Sequence, residues 1–237
     1  MRNNKVKYFG FTLAEVLITL GIIGVVAAMT MSVLIKNYQK MTWTNQLKAN
    51  YSLLNQGFQK MMADDGVDDL SNTEVFKSSS GCISSYEITS SSCKDVYDNL
   101  KKYFKIINIG PLNNYSYKLI NNTSMGTYTH NAITLSNGAI IFNYLFTGGG
   151  FFKVDINGKK GPNTCGKDSF TLVLSPKAIS SPYFGIQNKP GLFFYGQGND
   201  NEYLKTQNYA CSKTDGTTLR GLFCGALIMQ NGWKMDY

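Results

Sequence analysis

Residues 7–17 read KYFGFTLAEVL, and they introduce the apolar run around which the rest of the chain is organised. Residues 16–35 contain no charged side chain, and the next charge is Lys36. About 20 apolar residues are enough for a helix to cross a bilayer. A single carboxylate, Glu15, stands at the head of this run. An acid in that position is costly in lipid, so Glu15 is a candidate functional residue.

The order of the parts differs from that of an ordinary secretory signal. Such a signal places its cleavage site after the apolar segment, so that the segment is discarded. Here the basic residues Arg2, Lys5 and Lys7 come first, Gly10 follows them, and the apolar run comes last. Cleavage after Gly10 would therefore keep the apolar helix in the mature protein.

The motif made of Gly10, Phe11, Thr12, Leu13 and Glu15 resembles the N-terminal signal of type IV pilins and type II secretion pseudopilins. The resemblance is specific from Lys7 to about Leu34 and weak beyond that point. It implies that a prepilin peptidase cuts after Gly10 and methylates the new amino terminus on Phe11. It also implies that Glu15 sets the axial register by meeting the Phe11 amine of a neighbouring subunit. The alternative to the processing signal is a plain signal anchor in which the Gly-Phe-Thr-Leu sequence is accidental. The alternative to the register role is that Glu15 reaches to the lipid head groups.

The same resemblance implies a domain organisation, a location and partners. Residues 1–10 are the leader, residues 11–36 the transmembrane or filament-core helix, and residues 37–237 a periplasmic or extracellular pilin-like domain that includes the second half of the helix. We expect a single-pass protein of the cytoplasmic (inner) membrane with its C-terminal domain outside, and then a subunit of a pilus or pseudopilus filament. Expected partners are the prepilin peptidase/methyltransferase, other pilin or pseudopilin subunits, the inner-membrane assembly platform and membrane lipid.

Beyond Lys36 the sequence predicts that the helix continues with one apolar face. Apolar residues recur there at spacings of three and four, which is typical of a helix that packs one face against a domain. We predict one helix over residues 12–63, ended by Asp64-Asp65-Gly66. The residues of the apolar face are Trp43, Leu47, Tyr51, Leu54, Phe58 and Met61.

The rest of the chain predicts a short helix and then strands. After a serine-rich loop over residues 67–92, an amphipathic helix is expected to turn Val96, Leu100, Tyr103, Phe104 and Ile107 inward. An Asn-Gly pair at residues 137–138, between two apolar runs, is typical of a β-hairpin. Strands are predicted at residues 115–119, 132–135, 139–142, 151–156, 170–174, 192–195, 226–229 and 233–235.

These elements predict an α+β fold class. A long N-terminal α-helix, partly transmembrane, is expected to pack on a C-terminal antiparallel β-sheet domain. The pilin resemblance implies the same plan.

The charge of the chain leaves one alternative function open. The formal charge of +8 falls to +5 when Arg2, Lys5 and Lys7 leave with the leader. A mild positive excess suits anionic surfaces, including lipid head groups and DNA. Because the charge is spread along the chain, a solvated surface is favoured over a nucleic-acid site. A minor pilin of a DNA-uptake or adhesion system, binding DNA or surfaces, remains the alternative.

Five cysteines indicate disulfides, because an exported domain lies in an oxidising space. Sequence proximity favours the pairs Cys82–Cys93 and Cys211–Cys224 and leaves Cys165 over, although five thiols permit other pairings. Zinc is disfavoured, since no pair has the close spacing of a zinc knuckle and the chain has one histidine.

A glycine-rich segment near the middle of the domain carries candidate calcium ligands. Asp155, Asn157, Asn163 and Asp168 supply the oxygens that calcium takes in a flexible loop. Certain pseudopilins, which the chain resembles, use calcium to fix a C-terminal loop. No bidentate glutamate follows at EF-hand distance, and two lysines add positive charge. Asn, Asp and Gly also form turns unaided, and a turn is the favoured interpretation.

The sequence shows no catalytic constellation. No motif ties His130 to an acid or a nucleophile, so a loop role is expected for it. The glycines at residues 148–150 lack the strand-turn-helix setting of a phosphate loop. We therefore predict a structural subunit that is not an enzyme, with calcium as the one candidate cofactor.

Overall fold

The structure, a computed structural model, describes residues 10–77, 94–142, 150–175, 179–181, 184–214 and 219–237. The chain divides into two compact units, Met1–Lys40 and Met41–Tyr237. The long helix α1 (Leu13–Asp65) contributes residues to both units. A long N-terminal helix followed by an antiparallel sheet confirms the predicted α+β, pilin-like fold class.

Within the second unit, α1 buries the face that the sequence predicted. Leu47, Leu54 and Phe58 are almost fully buried in the main core, and Met61 has no exposed surface. Two aromatic members of the stripe, Trp43 and Tyr51, are partly buried against the same core. The ring of Tyr51 stacks on Phe194 with 4.8 Å between ring centres, and its hydroxyl donates to the carbonyl oxygen of Leu192 at 2.9 Å.

Helix α1 ends at the predicted acidic pair and glycine, two residues later than expected. Gly66 has a positive φ of 63°, a conformation that glycine adopts at little cost. Its N–H donates to the carbonyl of Ala63 at 3.2 Å, and the N–H of Val67 donates to Met62 at 3.0 Å. This pair of bonds is a Schellman motif, which satisfies carbonyls that the helix end leaves free.

The other described elements follow α1 in chain order. The helices are α2 (Glu74–Lys77), α3 (Lys94–Tyr103), α4 (Asn201–Thr206) and α5 (Cys224–Gln230). The strands are β1 (Ile106–Pro111), β2 (Tyr115–Lys118), β3 (Ser124–Tyr128), β4 (Asn131–Leu135), β5 (Ile140–Phe142), β6 (Gly150–Asp155), β7 (Ser169–Ser175), β8 (Ile179–Ser181), β9 (Gly185–Gln187) and β10 (Gly191–Phe194).

Six of the described strands form the main sheet, in the order β1-β4-β5-β6-β7-β10 with antiparallel neighbours. The predicted hairpin is present as β4 and β5. Gly138 has a φ of 87° in its turn, and the side-chain oxygen of Asn137 accepts the N–H of Ala139 at 3.1 Å. Every residue of β7 is buried, so both faces of the sheet are covered there.

The antiparallel pair β2–β3 forms a separate two-stranded ribbon. A second apolar cluster joins the ribbon to strands of the main sheet. Its members are Leu112, Tyr115, Tyr117, Tyr128, Ala132, Ile140 and Phe142.

The two strands predicted near the C-terminus are wrong. Residues 224–230 form helix α5, which is buried along most of its length, and no strand is assigned to residues 233–235. A short apolar run cannot be told from a buried helix by periodicity alone, which explains the error.

Two further predictions between α1 and β2 need correction. The loop expected over residues 67–92 contains a short 3₁₀ turn, Leu70–Asn72, and helix α2; residues 78–92 lie outside the described part. The amphipathic helix is present as α3, and Val96, Leu100 and Phe104 are buried as expected. Ile107 is instead 67% exposed, because it lies on strand β1, where helical spacing no longer decides which way a side chain points.

Candidate functional site

Reciprocal hydrogen bonds between Thr12 and Glu15 define the start of α1. The backbone N–H and the hydroxyl of Thr12 both donate to Glu15 Oε2 at 2.8 Å. The backbone N–H of Glu15 donates in return to Thr12 Oγ1 at 3.2 Å. This arrangement is a capping box, in which a threonine and a glutamate three residues later satisfy N–H groups that a helix start leaves unpaired.

The capping box fixes where the carboxylate of Glu15 is held. It lies in the first turn of α1, where negative charge is favourable because the helix N-terminus carries partial positive charge. Gly10 and Phe11, on either side of the predicted cleavage bond, are exposed. The role of Thr12 was not predicted, although the spacing Thr-x-x-Glu is its sequence signal.

The helix behind this motif exposes apolar side chains on every side. Within α1 a window long and apolar enough to cross a membrane has none of its residues buried. Exposed fractions are 80% for Leu13, 63% for Ile23 and 69% for Leu34. Because successive residues point in different directions around a helix, this surface has no polar side to face water.

The four predicted calcium ligands do come together, in the segment between β6 and β7. Both carboxylates, Asp155 and Asp168, are fully buried. Asp155 accepts the hydroxyl of Tyr115 at 2.6 Å and the backbone N–H of Asn157 at 3.1 Å. Asp168 accepts the backbone N–H groups of Asn163 and Thr164 at 2.9 and 2.7 Å.

The two asparagines of this cluster also bond to the chain. Asn157 donates through its side-chain amide to the carbonyl of Gly161 at 3.1 Å, and Asn163 accepts the N–H of Gly161 at 3.0 Å. The side-chain oxygen of Asn157 is buried and has no hydrogen-bond partner among the described residues. These hydrogen bonds connect the turns that precede β7.

Calcium remains a prediction for this cluster. Each carboxylate oxygen of Asp155 and Asp168 already accepts a hydrogen bond from the chain, so a cation would have to displace these donors. Within the described residues, no group of three or more histidine, cysteine, aspartate or glutamate side chains could hold a metal ion.

Burial gives this cluster unusual acid-base properties. It raises the pKa of Asp155 to about 7, and the nearby charge of Asp168 adds to the effect. Burial also raises the pKa of Asp168, while hydrogen bonds from Thr164 and Asn163 oppose that change. The pKa of Tyr115 is raised by burial and then by the charge of Asp155. Buried like charges favour the protonated form of one partner.

The cysteine predictions are confirmed where the structure describes them. Cys211 and Cys224 form a disulfide that joins the segment after α4 to the start of α5. Cys165 is a free and fully buried thiol. Cys82 and Cys93 lie outside the described residues, so their pairing stays a prediction.

The remaining candidates have structural contacts. The ring of His130 lies 5.4 Å from that of Tyr128 in an edge-to-face arrangement, and its carbonyl accepts the N–H of Leu112 at 3.0 Å. Of the three glycines at residues 148–150, Gly150 begins strand β6, while residues 148 and 149 lie outside the described part.

Comparison with protein-family models identifies the N-terminal segment. Residues 6–31 match the prokaryotic N-terminal methylation motif, which confirms the type IV pilin and pseudopilin signal. This signal and the apolar helix fit a membrane-anchored protein. No curated protein and no solved structure matches the chain. Residues 33–237 match a second model, and the chain therefore belongs to the family described as "Family of unknown function (DUF6613)".

Proposed function

We propose that the protein is a filament subunit of a type IV pilus or a type II secretion pseudopilus. The methylation motif supports a type IV pilin-like subunit, and the signal and fold point to a structural role rather than an enzyme. In this proposal the precursor spans the inner membrane once with its C-terminal domain outside. A prepilin peptidase then cuts after Gly10 and methylates Phe11.

The exposed apolar surface of residues 13–35 carries the proposal. Exposing a helix that is apolar on all sides to water is unfavourable, so this surface requires lipid or other helices around it. Moving such a helix from lipid into a bundle of similar helices exchanges one apolar environment for another. An assembly machine can then bias a nearly balanced step, and repeated head-to-tail contacts build an open filament.

Glu15 gives the filament its register in this proposal. After cleavage the amine of Phe11 is the first group of the mature chain, and methylation keeps it basic. An ionised carboxylate in an apolar bundle is stabilised by a cation at hydrogen-bond distance. The Phe11 amine of a neighbouring subunit is the cation that each added subunit would supply.

Mass spectrometry of the mature protein tests the processing step. We expect that co-expression with a prepilin peptidase yields a chain that begins at Phe11 and carries the mass of one added methyl group. Gly10→Val should leave the precursor uncut. A mature chain that still contains residues 1–10, or one cut after the apolar helix, would contradict the proposal.

Two matched variants separate the charge of Glu15 from its capping role. Glu15→Gln keeps a residue that can close the capping box but removes the charge, whereas Thr12→Ala keeps the charge and removes one capping partner. We expect Glu15→Gln to abolish filaments and Thr12→Ala to reduce them only partly, as counted by electron microscopy of sheared fractions. Filaments at normal levels with Glu15→Gln would refute a register role for the charge.

A further inference from the structure

The second unit contains a cavity of about 340 Å³ that the sequence did not predict. Its walls come from β2, β3, β6 and β7, from the residues just after β2 and just before β9, and from the chain after β10. Ligand pockets begin at about this volume, at roughly 300 Å³. Most of its lining is aromatic or aliphatic, and the aromatic members are Tyr117, Phe151, Phe184, Tyr195 and Tyr209.

A buried lysine forms the polar part of this cavity. Lys153 lies on β6 and is only 5% exposed. Its ammonium donates to the hydroxyl oxygen of Thr171 at 3.1 Å, lies 3.8 Å from the sulfur of Cys165 and lies 5.5 Å from the ring centre of Tyr117. No carboxylate of the described residues forms an ion pair with it.

These contacts leave the charge of Lys153 poorly compensated. An ammonium has three N–H donors, and one of them here donates to a hydroxyl. The other two contacts are weaker, because a thiol sulfur is a poor acceptor and the face of an aromatic ring attracts a cation only modestly. Lysine is almost never this buried without an anionic partner, because removal of its water is costly. Thr171 accepts from Lys153 and keeps its own O–H for a second acceptor.

We propose that this cavity, which we call the Lys153 pocket, binds a small organic carboxylate with an apolar body. The carboxylate accepts hydrogen bonds from the Lys153 ammonium and the Thr171 hydroxyl. The body packs against the aromatic walls, and Met125, which is 38% exposed, stands at the margin of the pocket. Charged hydrogen bonds of this kind, formed away from water, are stronger than neutral ones.

Calorimetry on the full-length protein in phosphatidylcholine nanodiscs tests the proposal. The probes are 3-phenylpropanoate and its uncharged analogue 3-phenylpropanamide, with empty nanodiscs as the blank. We expect the acid to bind about tenfold more tightly than the amide, as a charged hydrogen bond would give. Equal affinities, or no binding of the acid, would overturn the proposal.

Variants assign the binding to the pocket. Lys153→Met keeps the apolar stem and should remove the preference for the acid without weakening the amide, while near-ultraviolet circular dichroism checks the fold. Lys189→Met removes an exposed lysine that does not line the pocket and should change nothing. Met125→Trp should weaken both probes by narrowing the cavity. An acid preference that survives Lys153→Met would overturn the proposal.

A last variant tests whether an acid of the chain itself, rather than a ligand, compensates the charge of Lys153. Asp215 lies outside the described residues and is the acid nearest in sequence to the lining residue Leu219. We expect Asp215→Asn to leave binding of the acid unchanged. If the acid binds only after Asp215→Asn, Asp215 rather than a ligand neutralises Lys153, and the proposal fails.

Discussion

The two parts of α1 have the same backbone structure and opposite surroundings. Residues 13–40 belong to the first unit and expose apolar side chains on all sides. Residues 41–65 belong to the second unit and bury one face in its core. The difference shows that helical propensity alone does not decide what a helix packs against. The apolar surface of the first part is left uncovered by the described residues of the chain, whereas the second part is stabilised by its own domain.

The largest expected effect is on the free energy of unfolding when one apolar side chain is truncated in each part of α1. Phe58 is 4% exposed and packs edge-to-face on Phe104 with 5.2 Å between ring centres. We expect Phe58→Ala to lower the free energy of unfolding of the second unit by about 4 kcal/mol, because it removes buried apolar surface and leaves a cavity. Urea unfolding followed by tryptophan fluorescence measures this change, since Trp43 and Trp233 both lie in that unit.

The matched control truncates an exposed residue in the other part of the helix. Ile23 is 63% exposed, so Ile23→Ala should change the same unfolding transition by less than about 0.5 kcal/mol. Its effect is expected in filament yield instead. Equal losses of stability from the two substitutions would show that the comparison is wrong.

Removal of the disulfide is expected to have the next largest effect, again only on the second unit. The bond joins Cys211 and Cys224, which are 13 residues apart, and so restricts the unfolded chain. We expect the double variant Cys211→Ala/Cys224→Ala to lose about 3 kcal/mol, as measured by urea unfolding without reductant. An unchanged transition would mean that the bond does not form in the protein. Non-reducing peptide mapping also checks the predicted Cys82–Cys93 pair.

A glycine in each part of α1 allows one substitution to be compared directly. A side chain at Gly57 would collide with the ring of Phe104, whereas one at Gly24 would meet nothing within 4 Å. We expect Gly57→Ala to cost about 2 kcal/mol in unfolding of the second unit, because the core is overpacked. Gly24→Ala should leave that transition unchanged and favour the helix locally by about 1 kcal/mol. Circular dichroism and urea unfolding measure the two effects, and a stabilising Gly57→Ala would contradict the packing.

The smallest change per experimental step, one pH unit, is expected from the buried carboxylate of Asp155 in the second unit. Burial raises the pKa of Asp155 to about 7 from its usual value of 3.8, so between these two pH values the folded state binds more protons than the unfolded state. Stability is therefore highest at the acidic end of this window and falls as pH rises, by at most about 1.4 kcal/mol per pH unit. Thermal unfolding between pH 5 and pH 7 measures the slope.

Asp155→Asn is the control for this slope, because the amide cannot ionise and the hydroxyl of Tyr115 can accept as well as donate. The variant should flatten the pH dependence. A chelator added at pH 7 also tests the calcium prediction: an unchanged unfolding temperature would refute it. Stability that rises with pH would show that the carboxylate is stabilised as an ion.

The sequence predicted the parts of the fold that depend on local periodicity. The stripe that ends in Phe58 and Met61 needed only helical spacing, and the hairpin at Asn137 needed only a turn signal. Helix α5 was mistaken for a strand because a short buried run has no period that distinguishes the two. Strand β1 was not predicted, because its pairing is not local. It ends at Pro111, and its partner β4 begins 20 residues later, at Asn131.

For the sites too, local sequence patterns could be predicted and contacts between distant residues could not. Glu15 was found from its position alone, since an acid beside an apolar run is unusual in any context. The grouping of Asp155 with Asp168 was predicted, but their bonds to backbone N–H groups were not, because these depend on turn geometry. The burial of Lys153 could not be read from its strand, because it results from residues that are far apart in the chain.

The capping box has a consequence for how Glu15 tolerates a membrane. A carboxylate that enters lipid loses its water, but here Thr12 supplies two donors that move with it. The acid thus carries part of its own solvation before any neighbour arrives. An incoming amine would then exchange with a hydroxyl of the same chain rather than meet a bare charge. In the proposed filament subunit, Thr12 would therefore lower the cost of holding Glu15 in the bilayer before assembly.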